Sequence, residues 1–343
     1  MPSAAHPGHV PVAELVRGAT VESVHYGSVA VVDREGRLLH AAGDPHAVTF
    51  TRSALKPLQA LPFVAAGGIE RFGYSKAQTA LLCASHSGEP RHVEAVADML
   101  ARAGNHGTDL QCGTHPPGFY DARGDVPPPP PYSPLQHNCS GKHSGMLAWC
   151  TQHGAAKADY LAYEHPLQHE IRRAVATFTG IAEDRLLAGI DGCSAPNYAV
   201  PLSALARAFA RLATADVDAD YGRAPRTLAD AMTAHPEMVS GAHRSDLALM
   251  EAGRGDWVTK IGAEGVQAIG IRSHGIGIAI KVADGQKRGL YPVIVAVLDA
   301  LGVLDTAARE VLATWGPHAI SNYRGLRTGE IRSSVVLDKR ADR

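Results

Sequence analysis

An antiparallel β-sheet assembled from the two ends of the chain, with a large helical insertion between them, is the α/β fold class this sequence predicts. Three observations lead there. Residues that favour strands cluster near both termini, apolar residues at helical spacing fill the middle, and Gly/Asp turn chemistry separates the runs. The expectation is one domain over residues 1–343. Its sheet subregion covers about 1–52 and 256–343, and its helical subregion about 53–255.

Taken in order, Val21 to Val32 and Arg37 to Ala42 read as strands joined by the turn Asp33-Arg34-Glu35-Gly36. A helix is expected to begin at Ser53 and to run through Leu55, Leu58, Leu61 and Val64 towards Gly67-Gly68. Further helices are expected over Arg91 to Ala103, Ser144 to His153, Pro166 to Phe178, Leu202 to Thr214 and Pro225 to Met232. Val266 to Ile271 and Gly275 to Val282 form a late strand pair closed by Asp284-Gly285, and a helix follows from about Leu290. Pro127 to Pro131 reads as a stiff surface loop, because polar motifs lie on both sides of it.

Composition narrows the function classes. With 45% apolar and 20% charged residues the chain has the profile of a soluble globular protein with ample core. Its 33 basic and 34 acidic side chains nearly cancel, which argues against a nucleic acid or an anionic membrane surface as partner. The start, MPSAAHPGHVPVAELVRG, lacks a basic region followed by an apolar run and does not read as a signal peptide. The apolar run Leu290 to Leu304 is interrupted by Pro292, Asp299 and Gly302 and is too short to cross a bilayer. Cys83, Cys112, Cys139, Cys150 and Cys193 are an odd number, which suits reduced thiols in the cytoplasm.

The segment Thr51-Arg52-Ser53-Ala54-Leu55-Lys56-Pro57 places a hydroxyl and an amine three residues apart. On a helix, positions i and i+3 share a face, so the amine can reach the hydroxyl. Serine is a poor nucleophile without a base beside it, and an unprotonated lysine is one known choice. Such a lysine is buried or flanked by positive charge, since only then is it neutral at about pH 7. Taken alone, the tetrapeptide reads first as a serine cap on an exposed helix start, and the segments that follow change that order.

Four other segments have the look of site residues. They are Cys83-Ala84-Ser85-His86-Ser87-Gly88-Glu89, His137-Asn138-Cys139-Ser140-Gly141-Lys142-His143-Ser144-Gly145, Asp191-Gly192-Cys193-Ser194, and Lys260-Ile261-Gly262. The second is no phosphate loop, because its glycine spacing before the lysine is wrong. Ser-x-x-Lys on an early helix with Lys-x-Gly on a late strand is the pattern of the penicillin-recognising serine hydrolases. In the order RSALKP, CASHSGEP, HNCSGKHSGM, DGCSAPN, HPEMVSG and KIGAEG, the chain resembles the rhizobial-type L-asparaginases.

That resemblance implies a serine β-lactamase/glutaminase-like fold and hydrolysis of asparagine to aspartate and ammonia. It implies two Ser-Lys pairs, Ser53 with Lys56 and Ser85 with Lys260. It also implies a zinc ion on Cys139, Lys142 and Cys193 with Asp191 beside it, and a homodimer. From spacing alone the three zinc residues read as core or solvent-facing groups; the resemblance reverses that ranking. The ion could shape the pocket or hold substrate, with His86, His137 and His143 as supporting partners.

In the chemistry expected, Ser53 attacks the side-chain carboxamide and Lys56 accepts its proton. Backbone N–H groups of Ser53 and Ala263 hold the oxyanion, each worth about 2.7–4 kcal/mol. Lys56, Ser85 or Lys260 returns the proton to the leaving ammonia, and Arg52 is a candidate for the substrate carboxylate. Two alternatives stand beside this reading. One is a glutaminase or a β-lactam or D-peptide hydrolase on the same scaffold. The other is a non-catalytic, zinc-stabilised scaffold that binds an amino acid.

Overall fold

The computed structural model describes residues 8–339. Residues 1–7 and 340–343, which the signal-peptide reading and the sheet boundaries above include, lie outside the described residues. The chain forms two compact units. One comprises Met1–Ala54, Ala199–Arg211 and Thr259–Arg343; the other comprises Leu55–Tyr198 and Leu212–Val258.

The strands in chain order are β1 (Val10–Arg17), β2 (Thr20–Asp33), β3 (Leu38–Ala42), β4 (Val48–Phe50), β5 (Leu187–Ile190), β6 (Pro196–Pro201), β7 (Trp257–Gly262), β8 (Val266–Ile271), β9 (Ile276–Val282), β10 (His318–Ser321), β11 (Arg327–Ser333) and β12 (Asp338–Lys339). The first unit is built on a nine-stranded sheet in the order β10-β11-β1-β2-β9-β8-β7, with β3 on β2 and β12 on β3. Early and late strands pair antiparallel, as the sequence predicts. Val29 faces Ile280, Ala30 faces Ala279 and Val31 faces Ile278, and all six are buried. Every residue of β8 is buried, which explains its unbroken apolar run.

β1, β10, β11 and β12 escape sequence reading. β1 carries Pro11 and a register shift beside it, and β10 lies at the sheet edge with most residues exposed, so neither shows clean alternation. The helical subregion also needs correction. It is not continuous over 53–255, because residues 199–211 belong with the sheet. There the helix Leu202–Thr214 lies against β9 so closely that a Cβ on Gly277 would stand 1.9 Å from Ala206 O. A second helix, Lys287–Ala300, packs on β1, β9 and β11.

The second unit is helical around Lys56–Ala65, which is buried from Lys56 to Val64 and packs on the helices Ser140–His153, Pro166–Thr179 and Ala224–Ala234. The expected helix start at Ser53 is corrected. Arg52–Leu55 is a 3₁₀ turn, Arg52 has φ +49°, and the α-helix opens at Lys56 with Pro57 in its first turn. Arg52 itself lies outside the right-handed helical region, whereas proline is preorganised for a first turn. The helix expected from Ser144 starts at Ser140 instead. Its glycines are points of close approach: a Cβ on Gly141 would lie 2.4 Å from Leu81 O, and one on Gly145 would lie 2.5 Å from Leu82 Cδ2. Among the described residues no helix is long and apolar enough to cross a membrane.

Gly277→Val forces the sheet and the helix Leu202–Thr214 apart and should cost about 1–3 kcal/mol by thermal unfolding. Gly107→Ala, whose Cβ would have its nearest heavy atom at 3.6 Å, is the matched control and should change stability by roughly 0.5 kcal/mol or less. Equal melting temperatures for the two variants would contradict the packing described.

Candidate active site

Lys56 opens the most buried helix of the second unit, so its amine reaches no solvent; the residue is 1% exposed. Its Nζ donates to Ala84 O at 2.5 Å and Asn138 O at 3.3 Å, and meets Ser85 Oγ at 2.8 Å. The two carbonyls can only accept. The third direction therefore decides the chemistry: an ammonium donates to Ser85, whereas a neutral amine accepts the Ser85 proton on its lone pair. The hydroxyl that Lys56 meets is thus that of Ser85, a pairing the sequence reading did not anticipate. Ser85 is itself buried, and its N–H is tied to Val239 O at 2.8 Å.

Close approach at Gly141 and Gly145 brings the helix Ser140–His153 under Leu81-Leu82, directly before that serine. Lys142 on this helix is buried and donates to Cys193 Sγ at 3.1 Å. A hydrogen bond with Cys193 holds the Cys139 thiol well below its ordinary value; burial opposes this, and the positive charges of Lys56 and Lys142 assist it. Burial would lower Lys142, but the charges of Cys193 and Cys139 together outweigh it and hold the ammonium above its usual range. Asp191 acts on Lys142 in the same direction and sits in a tight turn where Ser194 adopts φ +68°. The structure therefore brings Cys139, Lys142 and Cys193 together across 54 residues of chain.

Histidines finish the surroundings. Burial pushes His137 down to about 3, with His115 and Lys56 adding to it. Its Nδ1 accepts the Cys139 N–H at 3.0 Å, and His115 Nε2 accepts the Asn138 N–H at 3.1 Å. His143 Nδ1 meets Tyr160 Oη at 2.6 Å, and the ring also interacts with the Cys193 sulfur. Burial lowers His143 to about 4, although the Cys193 sulfur acts the other way. His86 supports the Ser85 turn and the helix start at Ser140, through Gly88 N and Ser140 Oγ.

In the first unit, a Cβ on Gly262 would stand 2.7 Å from Thr51 O, which sets the end of β7 against the Arg52-Ser53 turn. Arg52 NH1 lies 4.0 Å from Glu264 Oε1. Ser53 is half-buried. Lys260 is fully buried on β7 and donates to Ile261 O at 3.0 Å; Ala263 is exposed in the following turn.

The two sulfurs and the Lys142 nitrogen are donors that zinc can accept, and the His143 ring lies against the Cys193 sulfur in the same buried region. Lysine binds a metal only after losing its proton and cysteine only as thiolate, so these residues fit zinc once the Lys142 proton and the proton shared by the two sulfurs are released. Among the described residues, no group of three or more His, Cys, Asp or Glu side chains gathers as a metal cage.

The family described as L-asparaginase II matches residues 13–333 of this chain. No curated protein matches it. Among solved structures, Mglu in its native form is 15% identical over 82% of this chain and 65% of that chain, with a TM-score of 0.43. Mglu in its L-glutamate binding form is 16% identical over 81% of this chain and 62% of that chain, with a TM-score of 0.42. The chain thus spans less than two thirds of the length of these proteins.

Because burial lowers His137 and His143, the unfolded chain takes up a proton on each before the folded one does. Their contribution to stability is complete above the ordinary histidine range, near 6.5, and is lost as pH falls below it. A histidine NMR titration should find both rings neutral and unshifted from about pH 8 down to about pH 5, where solvated histidines have already titrated.

Proposed function

Since the chain belongs to the L-asparaginase II family, we propose that it hydrolyses L-asparagine to L-aspartate and ammonia through a Ser-Lys acyl-enzyme mechanism. The observation that carries this is the buried Lys56 amine on the Ser85 hydroxyl at 2.8 Å. An apolar side chain would fill that space without the cost of burying an amine, whereas proton transfer to and from a hydroxyl requires one.

Ser53 is the nucleophile of the proposal. It is half-buried and thus open to a substrate, whereas Ser85 is almost fully buried and already engaged. The Ser53 oxygen bonds to the carboxamide carbon and its proton passes to Lys56, three residues on in the chain. Lys56 passes a proton through Ser85 Oγ to the amide nitrogen, the C–N bond breaks and ammonia leaves. Water then attacks the β-aspartyl ester, its proton returns by the same groups, and Ser53 is released. Backbone N–H groups of Ser53 and Ala263 receive the oxyanion, Arg52 takes the substrate carboxylate, and Lys260 supplies a second buried cation.

Cys139, Lys142 and Cys193 would hold a zinc ion beside Asp191, which would supply fixed positive charge to the site. The finer fold assignment, serine β-lactamase/glutaminase-like, belongs to the same proposal. So do the homodimer and the cytoplasmic location, which five buried free thiols suit. Glutamine is the nearest competing substrate, one methylene longer and separated by about 1–3 kcal/mol at most.

Ammonia release from asparagine and glutamine, and colour from a chromogenic cephalosporin, should be measured side by side. Turnover of the cephalosporin alone would rule out an asparaginase. Ser53→Ala should lose roughly three or more orders of magnitude in kcat while its circular dichroism is unchanged, and Lys56→Ala should do the same. A folded Ser53→Ala variant with normal ammonia release would end this mechanism and favour a binding scaffold. Elemental analysis should find about one zinc per chain in the purified protein and far less in Cys193→Ser.

A further inference from the structure

The turn after Ser85 has two backbone donors that end on imidazole nitrogens. Gly88 N–H donates to His86 Nδ1 at 3.1 Å, and Glu89 N–H donates to His92 Nδ1 at 3.1 Å. Both rings are buried, at 1% and 0% exposure, and stack with centroids 4.9 Å apart. The far ends of the rings settle where their protons sit. His92 Nε2 faces Glu237 O at 2.9 Å, and a carbonyl can only accept. His86 Nε2 faces Ser140 Oγ at 2.9 Å, and that hydroxyl already donates to Leu135 O at 2.8 Å. Each ring must therefore carry its one proton on Nε2 and leave Nδ1 bare.

The geometry points to His86 and His92 as positioning residues for Ser85: as neutral Nε2–H imidazoles they accept the N–H groups of its turn and hold its hydroxyl on Lys56. A proton on either Nδ1 would set N–H against N–H and release one end of the turn. The remaining ties do not replace these bonds. Ser87 Oγ and Ala242 N donate to Glu89 Oε1 at 2.8 and 2.9 Å, which fixes the Glu89 side chain but leaves the backbone donors of Gly88 and Glu89 unmet. The charges around the rings are mixed. His92, Lys56, His137 and His115 act against a proton on His86, while Glu89 and Glu237 favour one on His92 and Arg91 opposes it. Burial is the largest influence on both and acts against charge, well below the ordinary range for His86.

The sign follows from linkage. The opened turn binds protons on both rings at the ordinary histidine value, and the closed turn does not. Closure is complete above that range and lost below it, by up to about a hundredfold per pH unit for two rings against about tenfold for one.

This inference rests on the reading of Ser85 as a participant in turnover, and its first test does not depend on that reading. The whole chain, labelled with ¹⁵N-histidine, is examined at about pH 8 by long-range proton–nitrogen correlation, with His86→Asn and His92→Asn to assign the signals. Two rings with bare Nδ1 and protonated Nε2 are expected; a protonated Nδ1 on either overturns the assignment. The second test is the pH dependence of kcat and KM for ammonia release. His92→Asn places Oδ1 near the Nδ1 position without a titratable ring. Its kcat at about pH 8 should lie within roughly threefold of the unaltered chain, and its acid limb should be shallower by one proton. His92→Phe, with a ring but no acceptor, should lose about tenfold or more in kcat and much less in KM. An acid limb in His92→Asn as steep as in the unaltered chain, or a normal kcat in His92→Phe, sinks the positioning role. An unaltered chain that releases no ammonia would count against the asparaginase reading, and the tautomers would still judge this one.

Discussion

An amine removed from water must find polar partners, and this demand at Lys56 organises the second unit. The lysine opens a helix buried over nearly its whole length, so solvent cannot satisfy it. Its partners come from two loops far apart in sequence, at Ala84-Ser85 and Asn138. Those loops must then lie against the helix start, because leaving the amine unmet would cost several kcal/mol. The glycines at 141 and 145 make the approach sterically feasible by letting one helix settle onto Leu81-Leu82.

Burying Lys142 as well raises the same problem for charge. It is answered by sulfur: Cys139 is driven towards thiolate by its hydrogen bond to Cys193 with the Lys142 ammonium beside it, and Lys142 keeps its proton against burial. Cys139 thus faces both the Lys56 region and the Lys142–Cys193 contact. A change at one alters the electrostatics of the other, in a medium where charges are weakly screened. Around them, the imidazoles of His86, His92 and His137, in which burial disfavours a charge, serve as acceptors for backbone N–H groups at Gly88, Glu89 and Cys139. This use of histidine differs from the supporting role around a metal that the sequence suggested for His86, whose partners are Gly88 and Ser140.

The sheet was legible where its strands are strongly apolar and bounded by turns. Val21–Val32 and Val266–Ile271 lie within one residue or so of β2 and β8. It was illegible at β1 and β10, where a proline, edge exposure and mixed polarity remove the period-two pattern. The helix boundary at Ser53 was misplaced because positive φ at Arg52 is a tertiary choice that arginine does not announce. The start of the Ser140 helix was placed four residues late because a glycine such as Gly141 disfavours a helix until the neighbour that needs its missing Cβ is known.

What the sequence by itself determined is the set of unusual residues: a Ser-x-x-Lys, two cysteines and a lysine among small residues, and a late Lys-x-Gly between apolar strands. Composition and local periodicity suffice for that, because each motif occupies a few adjacent residues. Only the tertiary structure decided who meets whom. Lys56 meets Ser85 across 29 residues, and Lys142 meets Cys193 across 51. Such partners are set by which helices can approach, by where backbone donors run out of acceptors, and by the cost of an unmet buried charge. Those are properties of the packed chain, and no local window contains them.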